Sequence, residues 1–295
     1  MKKYSILHPA VFKLDGGAMF GIIPKPLWNK AIPSDELNRI LMSLRVMLIQ
    51  TPNRNILVDT GIGDYHGDKF DQRFGVVGKK NPLIETLKKD YLLAPEDITD
   101  LIITHLHFDH VGGLGHEQNE HVTLFPKATI HLHRKHYEYS LHPTLRDAGS
   151  FHQQYFRPLI EKADADGLIH WLDQEEGLLI EDGEDKLYYK CSFGHTPYLL
   201  HPYDEKFIYM ADLVPTSHHI AVPWVMGYDI APGQTTKDKV EFYNFIIQRN
   251  LTMIFEHDIQ VWGAKIKKIS EADFMAQEKF EIKSIDPQKF ELSFD

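Results

Sequence analysis

Residues 104–110 read Thr-His-Leu-His-Phe-Asp-His, and this stretch decides the fold more than any other part of the chain. It follows directly on an apolar run. Strand alternation would put His105, His107 and Asp109 on one side, and His110 can turn toward the same centre once the strand ends. Imidazole together with carboxylate suits zinc, manganese or iron rather than calcium. The spacing therefore predicts a metal site at the end of a buried strand.

The chain around this stretch alternates between strand-like and helix-like patterns. We predict strands over 40–60 as a hairpin or meander, and over 100–104, 127–133, 168–172, 177–181, 186–192, 206–210 and 251–255. We predict helices over 81–91, near 94–97, over 134–163 and 236–249, and from 270 to a short tail, with a loop over 64–80. Runs of strands with interspersed helices favour an α/β fold with two mixed sheets flanked by helices.

Composition and charge limit the classes of protein that this chain can be. It has 295 residues, of which 43% are hydrophobic and 25% charged, and we expect one domain over residues 1–295. The formal net charge of −10 argues against a nucleic-acid partner. No apolar run reaches the roughly 18 residues that a membrane-spanning helix needs, so we expect no membrane partner. These features are typical of an enzyme for small molecules.

Cysteine content and the N-terminus bear on location. Cys191 is the one cysteine, so an internal disulfide is excluded, and we interpret it as a small buried apolar residue. His8 and Pro9 interrupt the N-terminal sequence before an apolar stretch of signal-peptide length. We therefore expect a cytoplasmic protein.

Residues 105–110 resemble the metal-binding signature of the metallo-β-lactamase superfamily. Four other segments resemble further motifs of that superfamily, namely Leu57–Gly61, Gly194–Pro197, Ala211–Leu213 and Glu256–Asp258. All five occur in the expected order between residues 57 and 258. This conjunction is far more specific than the histidine-rich stretch alone.

The resemblance implies a four-layer αβ/βα sandwich with a dinuclear metal site. In the family's pattern, one metal is held by His105, His107 and His195. The second is held by Asp109, His110 and His257, while Asp212 bridges the two metals and Asp59 orients a ligand. We expect two divalent ions, zinc in the first place, with manganese and iron as alternatives.

The resemblance also implies a hydrolase, and the chemistry of the ligands agrees. Two divalent metals about 3.5–4 Å apart can share one hydroxide, which is available at neutral pH because the metals lower the pKa of water. Asp109 is placed to manage the proton and pass it to the leaving group. Asp109 and Asp212 are therefore the predicted catalytic residues.

Several segments resemble one branch of the superfamily, which includes the quorum-quenching N-acyl-homoserine lactonases and methyl-parathion hydrolase. These segments are Leu14–Gly21 with Pro24 and Lys25, Ala211–Thr216, and Met226–Asp229. The leading hypothesis is a lactonase that opens the ring of N-acyl-homoserine lactones. The predicted substrate-binding residues are Met19, Phe20, His219 and Tyr228.

Two positions depart from the pattern of related lactonases. Tyr198 stands where the motif Gly-His-Thr-Pro-Gly-His has its second glycine, and the later histidine is displaced to His201. Pro215 stands where acyl-homoserine lactonases have a tyrosine, three residues after the bridging aspartate. A group that polarises the substrate carbonyl must come from elsewhere, with Tyr228 and the pair 218–219 as the candidates.

Other functions share the motifs. The same metals could hydrolyse phosphotriesters, other esters or thioesters, and RNA-processing nucleases have the same fold. The acidic charge disfavours the nucleases, and no basic cluster near the C-terminus would hold glutathione. A non-catalytic binding protein would be expected to have lost ligands, whereas all seven positions are filled. Dimers are common among similar lactonases, so a homodimer is compatible with the resemblance.

Overall fold

The computed structural model describes residues 2–77, 82–115, 122–282 and 290–291, and within these its strands form two seven-stranded sheets. The strands of the first sheet, in spatial order, are β14 (Phe290–Glu291), β1 (Lys3–Asp15), β2 (Arg39–Gln50), β3 (Asn55–Val58), β4 (Asp100–Ile102), β5 (Thr129–His133) and β6 (Ile169–Leu172). The strands of the second sheet are β13 (Asp273–Glu281), β12 (Val261–Ser270), β11 (Thr252–Ile254), β10 (Phe207–Tyr209), β9 (Leu199–Tyr203), β8 (Asp185–Ser192) and β7 (Glu176–Asp182).

Both sheets are mixed. In the first sheet β1, β2 and β3 are antiparallel neighbours, whereas β3, β4, β5 and β6 are parallel. In the second sheet only β10 and β11 are parallel among the described pairs. Parallel neighbours need long crossover connections, and helices occur in those connections.

The helices are α1 (Gly16–Phe20), α2 (Lys25–Ala31), α3 (Asp68–Phe74), α4 (Pro82–Thr86), α5 (Phe108–Val111), α6 (Arg134–Leu141), α7 (Gln153–Ala165) and α8 (Pro232–Arg249). A π-helical turn, Leu87–Tyr91, continues α4. Short 3₁₀ turns lie at Pro95–Asp97, Gly112–Leu114, Ala148–Ser150, Ala211–Leu213 and Ser217–Ile220. No helix in the described part of the chain is long and apolar enough to cross a membrane.

Alternation along the strands separates the core into layers. Met47 of β2 packs in the cluster between the two sheets, together with Ile208 and Met253 of the second sheet. Its neighbour Leu48 points the other way, into a cluster that includes Phe156 of α7. Successive side chains of a strand point to opposite faces, so the first sheet is covered by the second sheet on one face and by helices on the other.

The second sheet is covered by α8 on its other side. Phe242 of α8 lies 4.7 Å from the ring of His201 in β9, and Tyr243 lies 5.0 Å from Phe274 in β13. The α/β fold with two mixed sheets flanked by helices is therefore confirmed.

The sequence predictions for residues 273–281 and 68–74 are wrong. Residues 273–281 form a strand that pairs with β12, whereas we expected a helix from 270. This segment is rich in helix-forming Ala, Met, Glu and Lys, but pairing with a neighbouring strand overrides local propensity. Residues 68–74, expected in a loop, form α3, which begins with acidic Asp68 and ends at Gly75 in the left-handed conformation.

Candidate metal centre

The predicted metal-binding side chains, and Asp59, which was predicted to orient a ligand, all lie just after the carboxyl ends of strands. They follow β3 (Asp59), β4 (His105, His107, Asp109, His110), β8 (His195), β10 (Asp212) and β11 (His257). β4 ends at Ile102, and α5 begins at Phe108. We expected strand alternation to position these histidines, and it does not. His105 and His107 lie on the irregular segment after β4, and His110 lies on the helical turn α5.

Four of these side chains form a first group. His105, His107, His195 and Asp212 each offer an atom within 4.8 Å of the others. The Nδ1 atom of His107 lies 3.1 Å from Nε2 of His105 and 3.1 Å from Nε2 of His195. Asp212 Oδ2 lies 3.1 Å from His195 Nε2. Three imidazole nitrogens and one carboxylate oxygen thus converge on one point.

Asp109, His110 and His257 form a second group with the same 4.8 Å spacing. Asp212 reaches this group as well, because its Oδ1 lies 3.0 Å from His257 Nε2 and its Oδ2 lies 3.6 Å from His110 Nε2. Asp212 is therefore in contact with both groups.

Hydrogen bonds fix which nitrogen of His105 and of His110 faces inward. Thr104 Oγ1 donates to Asp59 Oδ2 at 2.7 Å, so it must accept from His105 Nδ1, which lies 3.0 Å away. His110 Nδ1 lies 3.1 Å from the same carboxylate. The lone pairs of His105 Nε2 and His110 Nε2 are thereby directed toward the centre.

Hydrogen bonds also orient the two histidines that follow strands of the second sheet. His257 Nδ1 donates to Ser43 O at 2.8 Å, and His195 Nδ1 donates to Asp229 Oδ1 at 2.9 Å. In a neutral ring the Nε2 lone pair would then face an oxygen of Asp212, an unfavourable contact that a cation between the two atoms relieves. The described residues therefore fit divalent metal ions.

Asp212 raises the pKa values of two histidines that it faces. Burial works to lower the pKa of His195, but Asp212 and Asp229 raise it to about 9. Burial likewise opposes the charge on His257, and Asp212 again raises the pKa of that ring to about 9. Burial, followed by the charge of neighbouring histidines, holds the pKa of His105 and of His107 well below the usual value.

The comparisons with known proteins agree with this geometry. Residues 45–271 match the model of the metallo-beta-lactamase superfamily. This chain belongs to the metallo-beta-lactamase superfamily. It is a hydrolase of that fold, with a histidine and aspartate cluster able to hold divalent metal ions.

Solved structures of similar fold cover 87–96% of this chain. A probable metal-dependent hydrolase from Staphylococcus aureus is 25% identical, with a TM-score of 0.81, over 96% of this chain and 98% of that chain. AidC, a dizinc quorum-quenching lactonase, is 19% identical, with a TM-score of 0.71, over 93% of each chain. An N-acyl homoserine lactone hydrolase, solved with N-hexanoyl-L-homoserine bound, is 18% identical, with a TM-score of 0.64, over 87% of this chain and 93% of that chain. No curated protein matches.

The departure at Tyr198 and His201 has a structural counterpart. Tyr198 has a φ of 58°, in the left-handed region that favours glycine. The displaced His201 is fully buried and bonded to Ser192 Oγ and Tyr209 O, so it lies outside the metal centre.

The predicted substrate residues fall into two kinds. Met19 and Phe20 are buried in α1, and Phe20 stacks on the ring of His219 at 4.7 Å. Both ring nitrogens of His219 are engaged, one with Met19 O and the other with Thr216 Oγ1. A direct role in substrate binding stays a prediction for these three residues, and His219 has no ring nitrogen left for a substrate.

Tyr228 differs from them because it is half-buried and its hydroxyl has no hydrogen-bond partner among the described residues. Burial, and then the charges of Asp109, Asp15 and Asp212, raise the pKa of its hydroxyl to about 12. The hydroxyl therefore stays protonated at neutral pH, and the charges of Asp109 and Asp212 act on it.

Sequence reasoning missed several residues that shape the centre. Asp229 was part of a quoted segment without a role, and Ser43 carried no signal because only its backbone carbonyl is used. An aromatic cluster beside Asp109 was missed as well. Its members are Tyr65, His66, Phe70, Phe74, Phe108 and His152. Adjacent aromatic residues at 65–74 were the available signal.

Proposed function

We propose that this superfamily member opens lactone rings, foremost those of N-acyl-homoserine lactones, as a quorum-quenching enzyme. The observation that carries the proposal is the contact of Asp212 with both histidine groups, which supports a site for two ions. We propose zinc as the native metal, since a buried set of imidazole and carboxylate groups suits it. When bound, the ions would supply Lewis acidity and hydroxide at neutral pH.

The proposed ligand sets follow the two groups of side chains. One ion would be held by His105, His107 and His195, and the other by Asp109, His110 and His257, with Asp212 shared by both. Asp59 and Asp229 keep the rings in the tautomers that the ions require.

Asp109 is the proposed proton carrier. Its carboxylate lies 3.8 Å from both His110 Nε2 and His257 Nε2 and keeps 8% of its side-chain surface exposed. From this position it can hold a proton and deliver it to the alkoxide oxygen released when the ring opens.

The aromatic cluster supports an apolar acyl group in the substrate. Phe108 stacks on His152 at 5.3 Å, and Phe70 lies 5.3 Å from Phe108. All three side chains are half-buried, so they present apolar surface beside Asp109 without filling the core. Tyr228 is the proposed donor to the substrate carbonyl, in place of the tyrosine that Pro215 replaces.

The proposal is tested on metal-supplemented protein by elemental analysis together with proton release at about pH 7.5 from acyl-homoserine lactones with six to ten acyl carbons. We expect about two ions per chain, and acid release that the variants His107→Ala and Asp212→Ala abolish. His142→Ala is the matched control, since this histidine is exposed. Light scattering on the same preparation tests a homodimer, and fractionation of the native cells tests the cytoplasmic location.

Two ions with acid release from none of the lactones would reject the lactonase assignment. The same preparation would then be assayed with phosphotriesters and thioesters, which need the same metals but a different pocket. Fewer than one ion per chain would reject the metal centre itself.

A further inference from the structure

Glu256 is a buried carboxylate beside the centre that the proposed mechanism does not use. It is fully buried, and its Oε1 lies 3.0 Å from His110 Nδ1. Asp59 Oδ2 lies 3.1 Å from the same nitrogen. Asp59, His110 and Glu256 accordingly form a third close group of side chains. Two carboxylates thus face one ring nitrogen that has a single proton to donate.

Both carboxylate oxygens of Asp59 also accept hydrogen bonds from Thr104. Its Oδ1 accepts from Thr104 N at 2.8 Å and its Oδ2 accepts from Thr104 Oγ1 at 2.7 Å. Neither carboxylate oxygen of Glu256 meets the geometric criteria for a hydrogen bond with a described residue, although Oε1 lies close to His110 Nδ1. A buried carboxylate without hydrogen bonds is costly and needs a reason.

The backbone that carries Glu256 is held firmly in place. The guanidinium of Arg45, which is fully buried, donates to Phe255 O and to Asp258 O, on either side of Glu256. The backbone N–H of Arg45 donates to Glu256 O at 3.3 Å. These bonds leave the segment little freedom, so the approach of Glu256 to His110 is a fixed feature of the fold.

We propose that Glu256 is a second positioning carboxylate for His110. Together with Asp59 it holds the Nδ1 side of the ring, so that Nε2 faces Asp109 and Asp212 at 3.8 and 3.6 Å. A carboxylate that faces the Nδ1 proton also increases the electron density at Nε2, which strengthens the ring as a ligand. The inference rests on the metal centre proposed above and concerns only the ion that His110 would hold.

Competitive zinc titration of metal-free protein with a chromophoric chelator tests the proposal. For Glu256→Gln we expect one binding step to weaken by about 10- to 100-fold and the other to stay unchanged. Glu256→Asp keeps the charge but withdraws the carboxylate by one methylene, so we expect a smaller loss. Glu138→Gln is the matched control, because this glutamate is exposed.

Two unchanged steps in Glu256→Gln would overturn the proposal, and so would an equal loss in both steps, which would indicate a general structural role. If Glu256→Gln does not fold, Glu256→Asp alone decides: unchanged affinity in both steps overturns the proposal. Wild-type protein that binds fewer than one zinc per chain would instead overturn the metal centre, so the two failures are distinguishable.

Discussion

Single hydrogen bonds to ring nitrogens determine what the metal centre can bind. His257 has its Nδ1 proton directed at Ser43 O, and His195 has its Nδ1 proton directed at Asp229. These contacts fix the tautomer, so the inward nitrogen of each ring is the one with a lone pair. The groups that accept these protons therefore determine metal binding as much as the histidines do.

Tyr228→Phe is the first prediction at this scale. We expect kcat/KM for an acyl-homoserine lactone to fall by about 100-fold, because a donor to the developing oxyanion is lost. Zinc content should stay at the wild-type level, since the hydroxyl belongs to neither group of ligands. Steady-state proton-release assays and elemental analysis provide the two readouts.

Tyr188→Phe is the control, since Tyr188 is a half-buried tyrosine of β8 whose ring stacks on Tyr203. Equal kinetics for Tyr228→Phe and the wild type would show that another group contacts the carbonyl.

The helix α8 organises two of the loops that form the centre. Asp238 accepts from Phe193 N and from Gly194 N at 2.7 and 2.9 Å, next to His195. Lys239, which is fully buried, donates to His219 O and Trp224 O at 2.8 and 2.6 Å. Consecutive residues of one helix therefore hold the loop of His195 and the loop that leads to Tyr228.

Gly194→Ala tests how closely this helix must approach the loop. A Cβ at residue 194 would lie 2.2 Å from Thr235 N and 2.3 Å from Thr235 Oγ1, so the helix and the loop must separate. We expect a loss of about 1–3 kcal/mol in the free energy of unfolding, measured in urea. Zinc affinity should fall with it, because His195 is displaced.

Gly233→Ala is the control within the same helix, because a Cβ there meets nothing within 4 Å. We expect it to be neutral or stabilising by up to about 1 kcal/mol. A zinc affinity of Gly194→Ala equal to that of Gly233→Ala would contradict the role given to this close approach.

At the scale of the whole molecule, the centre joins the two sheets. His105 and His107 follow a strand of the first sheet, whereas His195, Asp212 and His257 follow strands of the second. Removal of the cations leaves buried charges at this junction, so metal content and pH should govern the stability of the entire fold.

We predict that metal-free protein is most stable near the ordinary histidine pKa of 6.5. His195 and His257 have folded-state pKa values raised to about 9, so their contribution is complete below pH 6.5 and is lost as the pH rises toward 9. His105 and His107 have lowered pKa values, so their contribution is lost as the pH falls below 6.5.

Thermal unfolding of chelator-treated protein between about pH 5 and pH 9 provides the test, with zinc-loaded protein as the comparison. Binding of a metal requires deprotonated rings, so the Tm difference between loaded and metal-free protein should widen above pH 6.5. A Tm of the metal-free protein that rises steadily to about pH 9 would contradict this account.

The sequence by itself determined the family, and it predicted seven side chains that the fold brings together at the centre. The residues of a motif such as 105–110 are adjacent in the sequence, so the motif can be recognised without knowledge of the fold. The order of the five motifs along the chain then indicated the family. The hairpin over 40–60 and the helix over 236–249 were equally readable, because periodicity is local as well.

Only the tertiary structure decided how these residues are oriented. Ser43 and His257 are separated by 214 positions, and His110 and Asp59 by 51, so no local pattern reveals their contacts. Residues 273–281 adopt a strand rather than a helix because β12 lies beside them. Pairing and burial depend on neighbours that are distant in sequence, and the free energy of those contacts exceeds local preference.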